Sequence, residues 1–158
     1  MAFKSPTTAT APYVDAGLIN QNENQGWQTF TFGPYQATQA DTILPFYARE
    51  LMQIKSVSVV ARTKPSVASN FNLFARQQGG SDATIANSVS QARNVCAQFD
   101  LNTLTDNTVQ DLTVTPGTHF TYLQPGDSLV ADFATTTSMA DLYITVQMRR
   151  VRDGFARL

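Results

Sequence analysis

The amino-acid sequence predicts an all-β fold: an antiparallel β-sandwich, of which the jelly roll is one form, with an extended N-terminal arm. Three observations predict it. Apolar and polar residues alternate with a period of two in segment after segment, and turns with Pro or Gly separate several of these segments. No helical spacing recurs between them, which argues against a parallel α/β sheet. A length of 158 residues suits one domain with a proper core.

The first 26 residues predict the arm, because Pro6 and Pro12 interrupt them and a polar run, Asn20–Gly26, closes them. One interpretation is a frayed terminus. The other is an arm that orders only on a partner. In that case its apolar residues would be the anchors: Phe3, Tyr13, Leu18 and Ile19. We therefore divide the chain into an arm, residues 1–26, and a single β-sandwich domain, residues 27–158.

The first half of the domain predicts four strands. Trp27–Phe32 alternates, with the two Phe side chains on one face. Thr42–Tyr47 contains Pro45, which confines it to an edge strand or an irregular segment. Met52–Arg62 is rich in β-branched residues, and Asn70–Arg76 alternates apolar with polar residues.

The second half begins with an ambiguous stretch, because residues 84–93 fit a short helix or a strand equally well. Strands follow over residues 94–99, 109–114, 118–123 and 128–134. In the first of these, the alternation places Val95, Ala97 and Phe99 on one face. The last strand alternates most clearly and predicts a sheet with one buried face, formed by Leu142, Ile144, Val146 and Met148.

The letters Gly126-Asp127-Ser128-Leu129 match the motif of a hydrolase family in which the serine is the nucleophile. A serine nucleophile needs a base, and here the one histidine, His119, precedes the motif. Strands flank the motif on both sides, whereas the hydrolases place it between a strand and a helix. We therefore predict a tight turn at Pro125-Gly126, a strand beginning at Ser128, no catalytic residues and no enzymatic activity.

Four polar residues have the spacing of positions one, three, seven and twelve of a calcium loop: Asp100, Asn102, Asp106 and Asp111. The sixth position, where the loop needs glycine, is Thr105, so a solvated loop is the better prediction. One cysteine, Cys96, and one histidine cannot form a structural zinc site. The sequence thus predicts no metal site and no cofactor.

Charge patterning gives no sign of a nucleic-acid or membrane partner. Only 15% of residues are charged and the net charge is −1. The one basic cluster lies near the C-terminus and fits the solvated end of a strand: Arg149, Arg150, Arg152 and Arg157. No segment has the apolar length of a membrane span. The low charge suits a protein packed against neighbours, and equally an ordinary Thr-rich β-domain.

The order of these features resembles that of the small β-sandwich proteins that decorate or cement tailed-bacteriophage capsids. An arm precedes the apolar patch Ile43–Phe46 and the strand Ile54–Val60. After an Asn- and Thr-rich stretch come Leu123–Leu129 and the closing strand Asp141–Met148. The resemblance covers Thr42 to Arg150 and depends on this layout.

The resemblance implies a structural virion protein on the outer surface of a bacteriophage capsid, assembled in the host cytoplasm. Its partners would be the major capsid protein and other copies of itself, as a homotrimer. Two alternatives remain open. One is a receptor- or carbohydrate-binding tail or fibre module that uses exposed aromatic side chains: Trp27, Tyr35, Tyr47 and Tyr143. The other is a jelly-roll major coat protein.

Overall fold

The structure is a computed structural model that describes residues 26–39, 41–76, 92–116 and 121–151. Of the predictions above, the arm over residues 1–25 lies outside these ranges. Also outside them lie the ambiguous segment up to residue 91, the first half (residues 118–120) of the predicted strand over residues 118–123, and the end of the chain from residue 152.

The described residues form ten strands and one short 3-10 helix, Leu101–Thr103. The strands are β1 (Trp27–Tyr35), β2 (Thr42–Tyr47), β3 (Met52–Thr63), β4 (Asn70–Arg76), β5 (Ala92–Asn94), β6 (Phe99–Asp100), β7 (Gln110–Leu112), β8 (Tyr122–Leu123), β9 (Ser128–Phe133) and β10 (Ala140–Arg150).

The strands make two antiparallel sheets that enclose one core. The first sheet has the order β1-β10-β3-β7, and β8 also pairs with β3. The second has the order β2-β9-β4-β5, and β6 also pairs with β4. Along the two main paths, β1 pairs with β10, β2 with β9, β3 with β7 and β4 with β5, so the chain pairs from its two ends inwards. This connectivity is that of a jelly roll. The predicted all-β sandwich is confirmed.

The last strand, β10, supplies the centre of the first sheet and of the core. Leu142, Ile144, Val146 and Met148 are all fully buried, so the predicted alternation is confirmed. The facing residues of the second sheet come from β4 and β9, where Phe71 packs against Phe133 with ring centroids 5.4 Å apart. Aliphatic and aromatic side chains from both sheets therefore interdigitate, as two packed sheets require.

Strand β3 carries a β-bulge that shifts the phase of its buried face. Ile54 faces the core, and the next core residue is Val57, three positions later. The register with β10 slips at this point, because Met148 pairs with Ile54 whereas Gln147 pairs with Ser56. Lys55 is the extra residue. A bulge of this kind re-aims side chains on the outer face.

The predicted strand over residues 94–99 is wrong, because β5 ends at Asn94 and β6 begins only at Phe99. Val95 and Cys96 are both buried while Ala97 is exposed, so the alternation breaks. The physical reason is a crossing between the sheets. The Val95 amide donates to Leu73 in the second sheet at 2.8 Å, and the Ala97 amide donates to Thr113, beyond β7 of the first sheet, at 2.8 Å.

Candidate functional site

The Pro125-Gly126 turn adopts the geometry that the sequence predicts. The Asp127 amide donates to the Gln124 carbonyl at 2.9 Å, which closes a four-residue turn. Gly126 has φ of 98°, a value that glycine adopts without the steric cost a side chain adds. With Pro at the second position and Gly at the third, this is the pattern of a type II turn. Ser128 then begins β9, paired with Tyr47 and Arg76. His119 lies outside the described residues.

Asp127 is a buried anchor. Its side chain is fully buried, and Oδ2 accepts hydrogen bonds from the Gln124 amide, at 2.8 Å, and from Arg93 Nη2. The main chain of Asp127 and Gly126 exchanges hydrogen bonds with Ala48, each 2.8 Å long. The turn therefore joins the connection between β2 and β3, the start of β9 and, through Arg93, β5. Sequence reasoning identified the turn but missed Arg93, which lies in the segment left open between helix and strand.

The residues with calcium-loop spacing do not converge. Asp100 Oδ1 accepts from the amides of Ser69, at 2.8 Å, and Asn102, at 2.9 Å, and these hydrogen bonds lower the pKa of Asp100. Asp106 instead accepts from the Lys64 amide at 2.8 Å, and Asp111 lies in β7. Within the described ranges, no three His, Cys, Asp or Glu side chains are grouped so that they could hold a metal ion. Burial raises the pKa of Cys96 to about 11, which keeps its thiol protonated at neutral pH.

The four aromatic residues proposed for sugar stacking lie apart. Tyr35 packs on Phe133 with ring centroids 5.6 Å apart, and burial raises the pKa of its hydroxyl. Tyr47 is on the second sheet, whereas Trp27 and Tyr143 are near opposite ends of β1 and β10 in the first. The described structure therefore brings no two of them into one platform.

Strand β2 presents apolar side chains to solvent on an edge of the second sheet. Its inward residues are Leu44, which is buried, and Phe46, whose ring lies 5.3 Å from that of Phe30 in β1. The alternate residues point outward, and Ile43 and Tyr47 are 46% and 48% exposed. Pro45 lies between them, also exposed, which confirms the edge position that Pro predicts. A proline there removes one backbone donor and protects the edge from unplanned strand pairing.

The exposed apolar row ends at β2, because Val130 in the neighbouring strand β9 is buried, with only 1% of its surface exposed. Val130 in β9 pairs with Ile43 on one side and with Phe74 in β4 on the other. We call the three exposed residues of β2 the β2 surface: Ile43, Pro45 and Tyr47. Two polar side chains of β9 on the same face flank it: Ser128, which pairs with Tyr47, and Asp132. An apolar centre with a polar rim is typical of protein-binding surfaces.

At the rim, two carboxyl groups lie close together. Burial, the neighbouring Asp41 carboxyl and a hydrogen bond with it raise the pKa of Asp132, against the opposing hydrogen bond from Asn72. Asp41 Oδ1 also accepts from the Phe133 amide at 2.9 Å, which ties the residue before β2 to the end of β9.

We expect Asp132→Asn to stabilise the protein at neutral pH. A carboxyl whose pKa is raised by folding favours its protonated form, so its stabilising contribution is complete below the unfolded pKa and is lost as the pH rises through the folded pKa. The amide stays neutral at every pH, and the gain should be at most about 1 kcal/mol because the site is partly solvated. Thermal unfolding at pH 7 and pH 3.5 measures it. A stability gain that is equally large at pH 3.5 would contradict the raised pKa of Asp132.

A second polar feature lies where β1 begins and β10 ends, on the outer face of the first sheet. Arg149 pairs with Trp27 on one side and Gln53 on the other. Its guanidinium carbon lies 4.6 Å from the centroid of the Trp27 ring, and Lys55 Nζ lies 5.4 Å from the same centroid. Arg149 Nε donates to Gln53 Oε1 at 3.0 Å. We call these four residues the Trp27 cluster.

The C-terminal basic residues separate as the alternation predicts. Arg149 belongs to the Trp27 cluster, whereas Arg150 pairs with Glu50 at 2.9 Å. Arg152 and Arg157 lie outside the described residues, as do the predicted arm anchors Phe3, Tyr13, Leu18 and Ile19. No helix in the described part of the chain has both the length and the hydropathy needed to cross a membrane.

The chain matches no known protein-family model, and no curated protein matches it in sequence. A comparison of folds aligns it with a chain in the structure of the infectious bursal disease virus Gt strain, at a TM-score of 0.22 and 12% sequence identity. The alignment covers 83% of this chain and 44% of that chain, so the chain spans less than half the length of this neighbour. A TM-score this low does not establish a common fold or function.

Proposed function

We propose that this chain is a capsid decoration protein, which binds the outside of a bacteriophage head and stabilises the shell. The observation that carries the proposal is the β2 surface: a row of apolar side chains exposed on the edge of a rigid sandwich and flanked by polar groups. Such a row lowers the solubility of an isolated monomer, and a protein partner that covers the row would remove this cost.

The point at which β1 begins strengthens this proposal. The predicted arm directly precedes Trp27, the first residue of β1, in the sequence. Phe30 in β1 contacts Phe46 in β2, so β1 and β2 lie on the same side of the sandwich. Trp27, the start of β1, therefore lies near the Tyr47 end of the β2 surface. An arm and a surface that engage one shell act as linked binding modules, because attachment of one raises the effective concentration of the other.

The mechanism that follows is multivalent. Apolar anchors of the arm and the β2 surface each contribute modest free energy at every site on the shell. Copies that associate with one another as well, for example as a trimer around a symmetry axis, would link neighbouring capsid subunits and resist expansion of the shell. The major capsid protein is the proposed partner on this mechanism.

Binding of purified protein to undecorated phage heads tests the proposal. We expect saturable binding by the full chain, and at least about tenfold weaker binding after deletion of residues 1–25 or after Ile43→Ser with Tyr47→Ser, since one lost anchor contributes roughly 1–2 kcal/mol. The matched control is Val67→Ser with Val109→Ser, which removes two apolar side chains that are 47% and 65% exposed away from β2. Wild-type affinity in the β2 variant would refute a role of this surface.

The jelly-roll connectivity also favours a second function, that of a major coat protein, because coat proteins of many icosahedral shells use this fold. Light scattering and electron microscopy of the purified chain separate the two functions. Closed particles formed by the chain alone would support the coat protein, whereas soluble monomers or trimers that bind only to preformed heads would support the decoration protein.

A further inference from the structure

The Trp27 cluster brings two cations onto one aromatic ring, and neither cation forms an ion pair with another described residue. The ion pairs of the described residues use Arg62, Arg93 and Arg150, and none uses Lys55 or Arg149. Each cation gains from the indole face. Each also raises the electrostatic energy of the other, because like charges held near one site repel. An anion seated between them would remove this cost.

Lys55 reaches the ring from a β-bulge. It is the extra residue where β3 slips its register against β10, and it is exposed on the outer face. In a regular strand without the bulge, residues 54, 56 and 58 would share one face and residues 55 and 57 the other. Bulges of this kind recur beside functional sites, where they re-aim one side chain.

Arg149 is positioned more rigidly than Lys55. Its strand is central in the sheet, and its Nε is fixed by Gln53 Oε1 at 3.0 Å. Because Nε is engaged, the two terminal amino groups of the guanidinium are the donors that remain for a ligand. Their planar arrangement matches the two oxygens of a carboxylate.

We infer that the Trp27 cluster binds a carboxylate group of a partner protein, with Lys55 and Arg149 as the charged contacts and Trp27 as the apolar wall beside the ligand's methylene carbons. A carboxylate fits better than a phosphate. Phosphate sites commonly use backbone amides at helix N-termini or in turns. Here Arg149 lies in a strand whose backbone pairs on both sides. If the proposed function holds, the partner is an acidic segment on the outer surface of the head.

Fluorescence of Trp27 tests the site without any phage component, because this is the chain's one tryptophan. A Glu-rich peptide titrated at low ionic strength should change the emission saturably. The response should weaken at least about tenfold in the Lys55→Gln, Arg149→Gln double variant, as expected for losing roughly 1.4 kcal/mol or more. Arg149→Lys should retain part of the response, because it keeps the charge but not the planar fork. Lys64→Gln, which removes a cation elsewhere, is the matched control and should behave as wild type.

The titration has three outcomes that would overturn the inference. They are no saturable response, an equal response from a Gln-rich peptide, and an undiminished response in the double variant. A response to inorganic phosphate but not to the Glu-rich peptide would also reject the carboxylate in favour of a phosphate ligand. Binding to heads is measured in a separate experiment. If the wild-type protein binds the peptide, the double variant does not, and the wild-type protein fails to bind heads, the results support the site and reject the decoration function.

Discussion

Replacing Asp127 by alanine is expected to lower the free energy of unfolding by about 3–5 kcal/mol, the usual cost of removing one member of a buried ion pair. Asp127 is fully buried and the Arg93 side chain is only 13% exposed. The substitution leaves the Arg93 cation without its counter-ion and the Gln124 amide without its side-chain acceptor. Urea denaturation followed by circular dichroism measures the effect.

Two further variants identify the cause of that loss. Asp111→Ala removes an exposed carboxylate from β7 and should change stability by less than about 0.5 kcal/mol. Arg93→Ala combined with Asp127→Ala should be less destabilising than the sum of the two single substitutions, because the second removal eliminates a charge that the first left unpaired. Additive effects, or a loss below about 1 kcal/mol for Asp127→Ala alone, would show that the pair does not hold the turn.

Substitution of Gly33 by alanine is expected to cost about 2–6 kcal/mol, because backbone strain and overpacking of roughly 1–3 kcal/mol each arise together. Gly33 has φ of 130°, which a side chain strongly disfavours. An added Cβ would also lie 2.6 Å from the Leu142 carbonyl oxygen and 3.1 Å from Tyr143 Cδ1. The closest atom belongs to the main chain of β10, so no rotamer change relieves the contact.

Thermal and urea unfolding measure the Gly33 prediction, with Thr29→Ala as the control on the same strand. Thr29 is exposed, and its truncation should stay within about 0.5 kcal/mol of wild type. Truncation of the Tyr143 side chain should not rescue Gly33→Ala, since the carbonyl contact remains. Rescue by Tyr143→Ala, or wild-type stability of Gly33→Ala itself, would show that β1 can move away from β10 at low cost.

Strands could be predicted from the sequence where burial alone decides whether each residue is apolar or polar. In β10 a residue is either in the core or on the outer face, and the period of two follows directly. The strand predicted over residues 94–99 failed because tertiary hydrogen bonds replace the ladder there: Val95 and Cys96 are both buried where the chain crosses between sheets. The consecutive apolar residues Val95 and Cys96 were a sequence signal against a regularly alternating strand at this point.

The two surfaces differed in how far sequence could identify them. Pro45 within an apolar run predicted an edge strand, but only the structure shows that Ile43 and Tyr47 are exposed while Val130, which pairs with Ile43, is buried. For the Trp27 cluster, a local signal exists, since the core residues Ile54 and Val57 are separated by an odd interval that regular alternation does not allow. That interval indicates a bulge. Its contact with Trp27 could not be predicted, because it depends on the pairing of β1 and β3 on either side of β10.

The pairing of first strand with last has a practical consequence for labelling and fusion. Trp27 is paired with Arg149, so the two ends of the described sandwich meet at one corner of the molecule. A tag or displayed protein fused directly before Trp27 or directly after Arg150 would therefore lie beside the Trp27 cluster. The connection between β9 and β10, around Thr135 and Ser138, offers an attachment point away from the two paired chain ends. Circular permutants opened there, with residues 26 and 151 joined by a short linker, would keep every described strand of both sheets intact.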